Sequence, residues 1–178
     1  MRLVILASGN GSLAQAIIDA NFEIVGIVTD VENAKVVDRA KRSGINLVVV
    51  PYRKPRTAWD SELESKVADL NPDLVVSVGF MRILSRSFVK RFKVINSHPS
   101  LLPEFSGAHA VRDTLSAGAT ETGCTVHWVD EGIDTGPVIA QRKVSILPHD
   151  DESSLHERIK AVERDLIVDT IRKIGASE

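Results

Sequence analysis

The sequence predicts an α/β fold, in which a doubly wound, mostly parallel sheet carries helices on both faces. Two observations support this prediction. Over the first half of the chain, short apolar runs alternate with stretches whose apolar residues recur at helical spacing. Later, two longer strand patterns joined by a Gly-rich loop precede one closing amphipathic helix. Repeated strand–helix units of the first kind fold into a parallel sheet covered by helices on both faces.

Each predicted strand is a short apolar run bounded by polar or turn-forming residues. The strands cover residues 3–7, 23–29, 47–50, 74–78, a fifth beginning at 94–95, 123–129 and 138–146. Each predicted helix has apolar residues three or four positions apart. The helices are the stretch after residue 12, residues 32–43, the stretch from 59 to 70, which stops before a proline, and a last helix from about residue 154. In such sheets ligands bind outside the carboxyl ends of strands, so the loops there are candidate sites.

Length and composition restrict the class of protein. A chain of 178 residues with 43% hydrophobic and 26% charged residues predicts a single domain, residues 1–178. The formal net charge of -2 argues against nucleic acid or a membrane surface as a partner. The single cysteine, Cys124, excludes an intramolecular disulfide and fits the cytoplasm. No apolar run suits a leader or a membrane span. The sequence leaves a homodimer open.

The turn after the first strand, Ser8-Gly9-Asn10-Gly11-Ser12, opens a helix. Backbone N–H groups at a helix N-terminus bind anions, and glycine lets a phosphate come close. No lysine stands where a Walker A loop requires one, which argues against an NTPase. The spacing Gly9-x-Gly11-x-x-Ala14, followed by Asp30, also matches a dinucleotide fingerprint. On this turn alone a phosphate monoester, a dinucleotide and no ligand all stay open.

The fifth strand runs into Asn96-Ser97-His98-Pro99-Ser100-Leu101-Leu102-Pro103. Asparagine supplies a fixed hydrogen-bond donor, and histidine is the side chain whose charge changes most easily near neutrality. Together they suit a reaction in which an oxyanion forms and collapses. The alternative is a turn that Asn96 and His98 merely cap.

Four sequence blocks occur in one order along the chain. They are the 8–12 turn, Gly79-Phe80-Met81-Arg82-Ile83-Leu84, the 96–103 block and Asp130-Glu131-Gly132-Ile133-Asp134-Thr135-Gly136-Pro137. In these blocks the chain resembles the phosphoribosylglycinamide formyltransferases, the folate-dependent one-carbon transferases of purine synthesis. The resemblance covers nearly the whole chain. It implies their Rossmann-like fold and formyl transfer from the co-substrate 10-formyltetrahydrofolate to the amine of glycinamide ribonucleotide, without metal or covalent intermediate.

The resemblance implies catalytic roles for Asn96, His98 and Asp134. Asn96 would donate to the oxygen that becomes negative in the tetrahedral intermediate, and protonated His98 would add a charge-assisted bond. Asp134 would pair with His98, orient the ring and favour its charged form. Gly107 and His109, at the start of a helix, would line the cleft in a supporting role.

The same resemblance implies binding residues for the amine substrate. Gly11, Ser12 and Leu13 would hold its phosphate through backbone N–H groups. Glu163 shares a helical stripe with apolar residues, so its carboxylate points towards the apolar side and needs hydrogen-bond donors. The ribose hydroxyls are the donors that the resemblance implies, and a structural Arg or Lys partner is the alternative.

Folate binding is implied for residues in four parts of the chain. Arg56, in the loop after the third strand, would contact the folate, and the 130–134 segment would bind the pterin edge through backbone groups. Asn96 would also face the formyl group. The apolar wall and backbone edge for the pterin would be Met81, Arg82, Ile83 and Leu84.

Some residues depart from the family pattern, and some alternatives stay open. Leu13 stands where many relatives carry Asn, so a side-chain contact to phosphate is missing. Ser97 replaces an apolar residue and, in an alternating strand, points away from its two neighbours.

His127 is predicted to be a satisfied cross-strand histidine. The rival functions are a nicotinamide-dependent oxidoreductase using Asp30 and a non-catalytic phosphate-binding module in which His98 is structural.

Overall fold

The computed structural model describes residues 1–177, and the chain divides after Ile95 into two units. The first unit contains β1 (Leu3–Leu6), α1 (Ser12–Asp19), β2 (Ile24–Thr29), α2 (Lys35–Arg42), β3 (Leu47–Val49), α3 (Arg56–Asp69), β4 (Leu74–Ser77) and α4 (Arg86–Arg91). Strand β5 (Val94–His98) spans the boundary. The second unit continues with α5 (Ala110–Ser116), β6 (Glu121–Trp128), β7 (Val138–Ser145) and α6 (Glu152–Gly175).

The sheet of the first unit is parallel and is built around β1. Its strands lie in the order β3-β2-β1-β4, followed by the first residues of β5. β1 pairs in parallel with β2 on one side and with β4 on the other, so Leu3 lies opposite both Ile24 and Leu74. All four residues of β1 are buried, as expected for the centre of a covered parallel sheet. The strand order runs outward from β1 in both directions, and this confirms the doubly wound prediction for this unit.

The second unit is an antiparallel strand pair with one long helix. The last residues of β5 are followed in the sheet by β6 and then β7, and β6 pairs antiparallel with β7 from Glu121–Ser145 to His127–Val138. Helix α6 begins with a capping box in which Asp151 accepts from the Ser154 N–H at 2.7 Å. Its buried stripe is mostly apolar, as the closing-helix prediction requires, and consists of Leu155, Ile159, Glu163, Leu166, Ile167, Thr170 and Ile171.

The differences from the predicted elements have local causes. Helix α2 begins at Lys35 rather than at residue 32, because a turn closed by the Ala34 N–H on the Val31 carbonyl precedes it. Helix α4 was not predicted: it has only six residues and a single buried one, Phe88, so it shows no periodic stripe. Its start is fixed by Ser85, whose hydroxyl accepts from the Phe88 N–H.

Cys124 lies buried in β6, and burial raises the pKa of its thiol to about 12, so it behaves as a small core residue. Among residues 1–177, none of the helices combines the length and the apolar composition needed to cross a bilayer.

Candidate active site

Asn96, His98 and Asp134 lie together in the second unit. Asn96 and His98 occupy alternate positions at the end of β5, and Asp134 belongs to the loop between β6 and β7. The Nδ1 atom of His98 lies 3.4 Å from Oδ2 of Asp134, and both side chains are largely buried. The structure therefore brings the three predicted catalytic residues into one cluster.

Both ring nitrogens of His98 face protein acceptors. Nε2 lies 2.9 Å from the carbonyl oxygen of Phe105, which can only accept, so Nε2 carries a proton. Nδ1 faces the Asp134 carboxylate, so a doubly protonated ring satisfies both contacts. Phe105 presents this carbonyl from a left-handed backbone conformation, with φ of 52°. A direct bond from His98 to a substrate oxygen requires one of the two contacts to open.

Asp134 is held as a carboxylate by three groups. Its Oδ2 accepts from the Gly107 N–H at 2.8 Å, and its Oδ1 lies 3.5 Å from Nε2 of His127. Burial alone would raise the pKa of Asp134, but the bonds from His127 and Gly107 and the charge of His98 outweigh it and lower the pKa. The supporting role predicted for Gly107 thus has a physical basis in its N–H group.

His127 is a member of this cluster that the sequence did not assign to the site. Its Nδ1 donates to the Trp128 carbonyl at 2.9 Å, so the neutral ring has a free lone pair on Nε2. In the neutral ring this lone pair accepts from Nδ2 of Asn96 at 3.2 Å, whereas in a doubly protonated ring Nε2 donates towards Oδ1 of Asp134 instead. His127 is satisfied, as predicted, but its partners are Asn96 and Asp134. Its position at the end of β6, just before the 130–137 block, was the available signal.

The turn after β5 is fixed by hydroxyl groups of the second unit. Thr125 on β6 donates to the Ser100 carbonyl at 2.7 Å and accepts from the Leu102 N–H at 3.1 Å. Ser100 in turn donates to the carbonyl of Glu104. These bonds hold the chain that follows His98 and carry it towards Phe105.

The loop that presents Asp134 is a tight, internally bonded turn. Asp130 accepts from the Gly132 N–H at 3.0 Å and from the Thr135 hydroxyl at 2.7 Å, and these bonds lower the pKa of its carboxyl. A Cβ at Gly136 would lie 1.8 Å from the carbonyl oxygen of Trp128, so only glycine fits there. Ile133 is exposed at the tip of the loop.

Glu163 has a partner that neither sequence alternative named. It is 4% exposed on α6, and its Oε1 accepts from the Ser97 hydroxyl at 2.6 Å. Burial raises the pKa of Glu163, although Ser97 and the charges of Lys160 and Arg164 act in the opposite direction. Ser97 points away from Asn96 and His98, as predicted for alternation in β5.

The phosphate turn lies in the first unit at the start of α1. Gly11 is the N-cap in a left-handed conformation, with φ of 72°, and provides no side-chain cap, so the first N–H groups of the helix, including those of Ser12 and Leu13, suit an anion. A Cβ at Gly11 would lie 2.7 Å from Cγ2 of Val36. The need for glycine therefore arises from packing against α2 as well as from any ligand.

Arg39 on α2 also contacts this turn. Its guanidinium donates to the backbone carbonyl of Asn10 at 2.8 Å and to the Asn10 side chain at 2.9 Å. A third bond reaches Gln15 on α1. Arg39 thus ties α2 to the turn and to the first helix.

The predicted folate residues of the first unit lie after β4 and at the start of α3. Arg56 is not in a loop but is the first residue of α3. Pro55, immediately before it, is the N-cap residue from which the helix starts. Its guanidinium donates to Asp60 at 2.8 Å and to the carbonyl of Ile83. Met81 and Ile83 are 62% and 55% exposed, which suits an apolar wall for a ligand.

Arg82 is engaged inside the first unit. Its Nε donates to Oδ2 of Asp30 at 2.7 Å, and its guanidinium stacks on the Tyr52 ring at 4.3 Å. Oδ1 of Asp30 accepts from the Ser8 hydroxyl at 2.5 Å. A dinucleotide site needs this carboxylate for a ribose hydroxyl, and here both oxygens are occupied. The geometry thus disfavours the oxidoreductase alternative.

His109 is the exposed N-cap residue of α5, and its side chain caps nothing there. In the described part of the chain, no three His, Cys, Asp or Glu side chains are grouped so that they could hold a metal ion.

Comparisons with known proteins show the family of this chain. The sequence profile of the formyl transferase family matches residues 1–171. The chain is 44% identical over 183 aligned residues to phosphoribosylglycinamide formyltransferase of Mycobacterium tuberculosis, covering 98% of this chain and 85% of that one. It is 41% identical to part of the trifunctional purine biosynthetic protein adenosine-3 of Drosophila melanogaster, over 91% of this chain and 13% of that protein.

A solved structure shows the same fold. Glycinamide ribonucleotide transformylase 1 from Symbiobacterium toebii superposes with a TM-score of 0.93 at 34% identity, over 97% of this chain and 86% of that one. The α/β prediction and the resemblance seen in the four sequence blocks are thereby confirmed. The chain belongs to the formyl transferase family and is a formyltransferase.

Proposed function

We propose that this enzyme transfers the formyl group of 10-formyltetrahydrofolate to the amine of glycinamide ribonucleotide, a step of purine biosynthesis. The observation that carries the proposal is the buried cluster of Asn96, His98 and Asp134 at the end of β5 in a member of the formyl transferase family. Its relatives are named for this activity and this pathway.

The reaction needs an oxyanion site and a route for one proton. The substrate amine attacks the formyl carbon, a C–N bond forms, and the carbonyl oxygen becomes negative. Asn96 donates to that oxygen through its amide, whose orientation is set by Nε2 of His127. The bond from the formyl carbon to N10 of the folate then breaks, the amine nitrogen loses a proton, and N10 gains one.

His98 acts in this mechanism chiefly as a fixed positive charge. Asp134 is ionised and faces Nδ1, and the Phe105 carbonyl faces Nε2, so a doubly protonated ring donates to both acceptors. A buried cation beside the developing oxyanion stabilises it electrostatically even without a direct bond. A direct bond forms when one of the two protein contacts opens.

The residues proposed to bind the amine substrate are those of the turn at Gly11 and, separately, Glu163 on α6. The backbone N–H groups of Gly11, Ser12 and Leu13 hold its phosphate, which the uncapped N-terminus of α1 supports. Glu163 accepts hydrogen bonds from the ribose hydroxyls of this substrate. An ionised carboxylate can only accept, and the hydroxyls supply the donors that it needs. The exposed His109 keeps at most a supporting role.

The folate is bound through the apolar wall and its backbone edge. Met81, Ile83 and Leu84 provide the surface, and Asn96 faces the formyl group. Arg82 serves by fixing the backbone of this loop through Asp30, since its guanidinium is already paired. Arg56 holds the same loop through the Ile83 carbonyl while its partly exposed side chain stays within reach of the folate.

The remaining predictions concern the surroundings of the enzyme. One formyltransferase domain over residues 1–178 is supported by the single family match over 1–171. We further propose catalysis without metal, residence in the cytoplasm, and no nucleic-acid or membrane partner. The sequence leaves a homodimer open, and light scattering on the purified protein measures the mass that tests it.

The test is an assay of the purified protein with both substrates. Folate absorbance should change only when glycinamide ribonucleotide and 10-formyltetrahydrofolate are both present, and a metal chelator should leave the rate unchanged. Calorimetry with NADH should give no binding. Binding of glycinamide ribonucleotide without turnover would favour the phosphate-binding module, and NADH binding would favour the oxidoreductase.

A further inference from the structure

Ser97 and Glu163 form a buried polar pair in the second unit. The two residues are 66 positions apart in the chain, and the Ser97 hydroxyl donates to Oε1 of Glu163 at 2.6 Å. Ser97 is 8% exposed and Glu163 is 4% exposed. Since alternate residues of a strand face opposite sides, Ser97 lies on the side of β5 opposite to Asn96 and His98.

A carboxylate in this position is costly unless donors stabilise it. The other members of the buried stripe of α6 are mostly apolar, and burial disfavours the charged form of Glu163. The groups that act on its charge are Ser97 on β5 and Lys160 and Arg164 on α6, and the Glu163 charge itself helps to raise the pKa of the Cys124 thiol on β6. Of these, Ser97 is the one that makes a direct hydrogen bond to the carboxylate.

We propose that Ser97 is a positioning residue: its hydroxyl fixes Oε1 of Glu163 and directs Oε2 to the vicinal hydroxyls of the substrate sugar. This inference rests on the proposed function, because it takes the sugar as the ligand of Glu163. A carboxylate has two oxygens with about four lone-pair sites. The bond from Ser97 uses one site and orients the group, and a neutral carboxyl could no longer accept from both sugar hydroxyls.

A purely structural pair would behave differently. If Ser97 only satisfied a buried carboxylate, removing it would change the melting temperature and leave substrate affinity alone. A positioning role predicts a change in affinity that depends on pH and disappears when Glu163 is replaced. The two roles are therefore separated by binding measurements.

The test measures the Kd of glycinamide ribonucleotide by calorimetry and its KM and kcat by turnover, across a pH series. Ser97→Ala should raise Kd and KM about tenfold at neutral pH, since a hydrogen bond to a charged group is lost, and should leave kcat at saturation unchanged. Its affinity should also begin to fall at higher pH than in the parent protein, because the carboxyl is protonated more readily. Ser97→Thr keeps a hydroxyl and should restore both properties.

Three further variants serve as controls. Ser97→Cys keeps nearly the same volume with a weak donor and should behave like Ser97→Ala without opening a cavity. Thr122→Val removes another buried hydroxyl of the second unit, one that lacks a hydrogen-bond partner among the described residues, and should leave Kd at the parent value. Adding Ser97→Ala to Glu163→Gln should change Kd no further than Glu163→Gln alone.

The outcomes distinguish this inference from the proposed function. If Glu163→Gln weakens binding but Ser97→Ala and Ser97→Cys bind as the parent does at every pH, the positioning role is overturned and the proposed function stands. If Glu163→Gln leaves Kd unchanged, Glu163 does not bind the substrate, and both that assignment and the role of Ser97 fail. Because Kd is measured without turnover, an inactive protein does not affect the result.

Discussion

Oδ1 of Asp134 lies 3.5 Å from Nε2 of His127, so the site carboxylate is flanked by two buried histidines, His98 and His127. His127 also contacts the amide of Asn96. One residue thereby connects the oxyanion donor to the carboxylate.

Replacing His127 should lower the rate without abolishing it. His127→Phe removes the acceptor for the Asn96 amide and one partner of Asp134, and we expect kcat to fall roughly tenfold, the value of one hydrogen bond in a network. His127→Gln retains an acceptor and should lose less. Steady-state kinetics with melting curves measure this effect, and parent-like kcat in a folded His127→Phe protein would mean that the ring only packs.

Asn96→Ala should lower kcat far more than it raises KM. The amide is needed mainly once the oxygen is charged, and loss of one oxyanion donor typically costs on the order of 10²–10³ in rate. The exposed Asn46, changed to Ala, is the matched control and should keep the parent kcat. A folded Asn96→Ala protein with nearly normal kcat would remove Asn96 from the mechanism.

His98→Ala and Asp134→Asn should not be additive. Asp134 acts on the reaction through the ring of His98, so once the ring is absent, loss of the carboxylate charge should cost little more. The four proteins of the cycle are compared by kcat/KM. Full additivity would show that Asp134 serves only to shape its loop through Gly107.

Gly11→Ala should destabilise the protein for two separable reasons. Its φ of 72° is unfavourable for alanine by about 1–2 kcal/mol, and the added Cβ would lie 2.7 Å from Val36. Gly44→Ala has a similar φ of 65° with nothing within 4 Å, so it isolates the backbone cost. Thermal melts should show a larger loss for Gly11→Ala, and equal losses would mean that Val36 gives way freely.

Glu163→Gln should stabilise the protein at neutral pH but not at acidic pH. Burial raises the pKa of Glu163 above its unfolded value, so the stability it contributes is present below the unfolded pKa and is lost as pH rises through the folded pKa. Glutamine does not ionise, so the variant does not lose stability as pH rises through that pKa. The melting temperature of the variant should therefore exceed that of the parent increasingly as pH rises, and the exposed Glu32→Gln should show no such trend. A constant difference across pH would contradict this account.

The sequence predicts local features well, because they depend on near neighbours. The strands, the uncapped turn at Gly11 and the strand end at Asn96 and His98 could all be read from short patterns. Strand alternation also gave the correct side for Ser97. Arg56 differs from the loop position predicted for it, because Pro55, whose fixed φ suits the start of a helix, is the N-cap of α3.

Contacts between distant parts of the chain could not be predicted in this way. The bond between Ser97 and Glu163 depends on how α6 lies against the strands of its unit, and the partners of His127 depend on the register of β6. The pairing of Arg82 with Asp30 likewise joins residues 52 positions apart. Periodicity gives the face of an element but not the residue opposite it.

Ser8 connects two binding elements of the first unit. Its hydroxyl donates to Asp30, the partner of Arg82, and accepts from the Met81 N–H at 2.9 Å. One side chain thus belongs to the start of the phosphate turn and also anchors the apolar wall assigned to the folate. We expect binding of the substrate phosphate and of the folate to be thermodynamically linked through Ser8. Phosphate bound at the turn then changes the affinity of the apolar wall for folate, and bound folate changes the affinity of the turn for phosphate by the same factor.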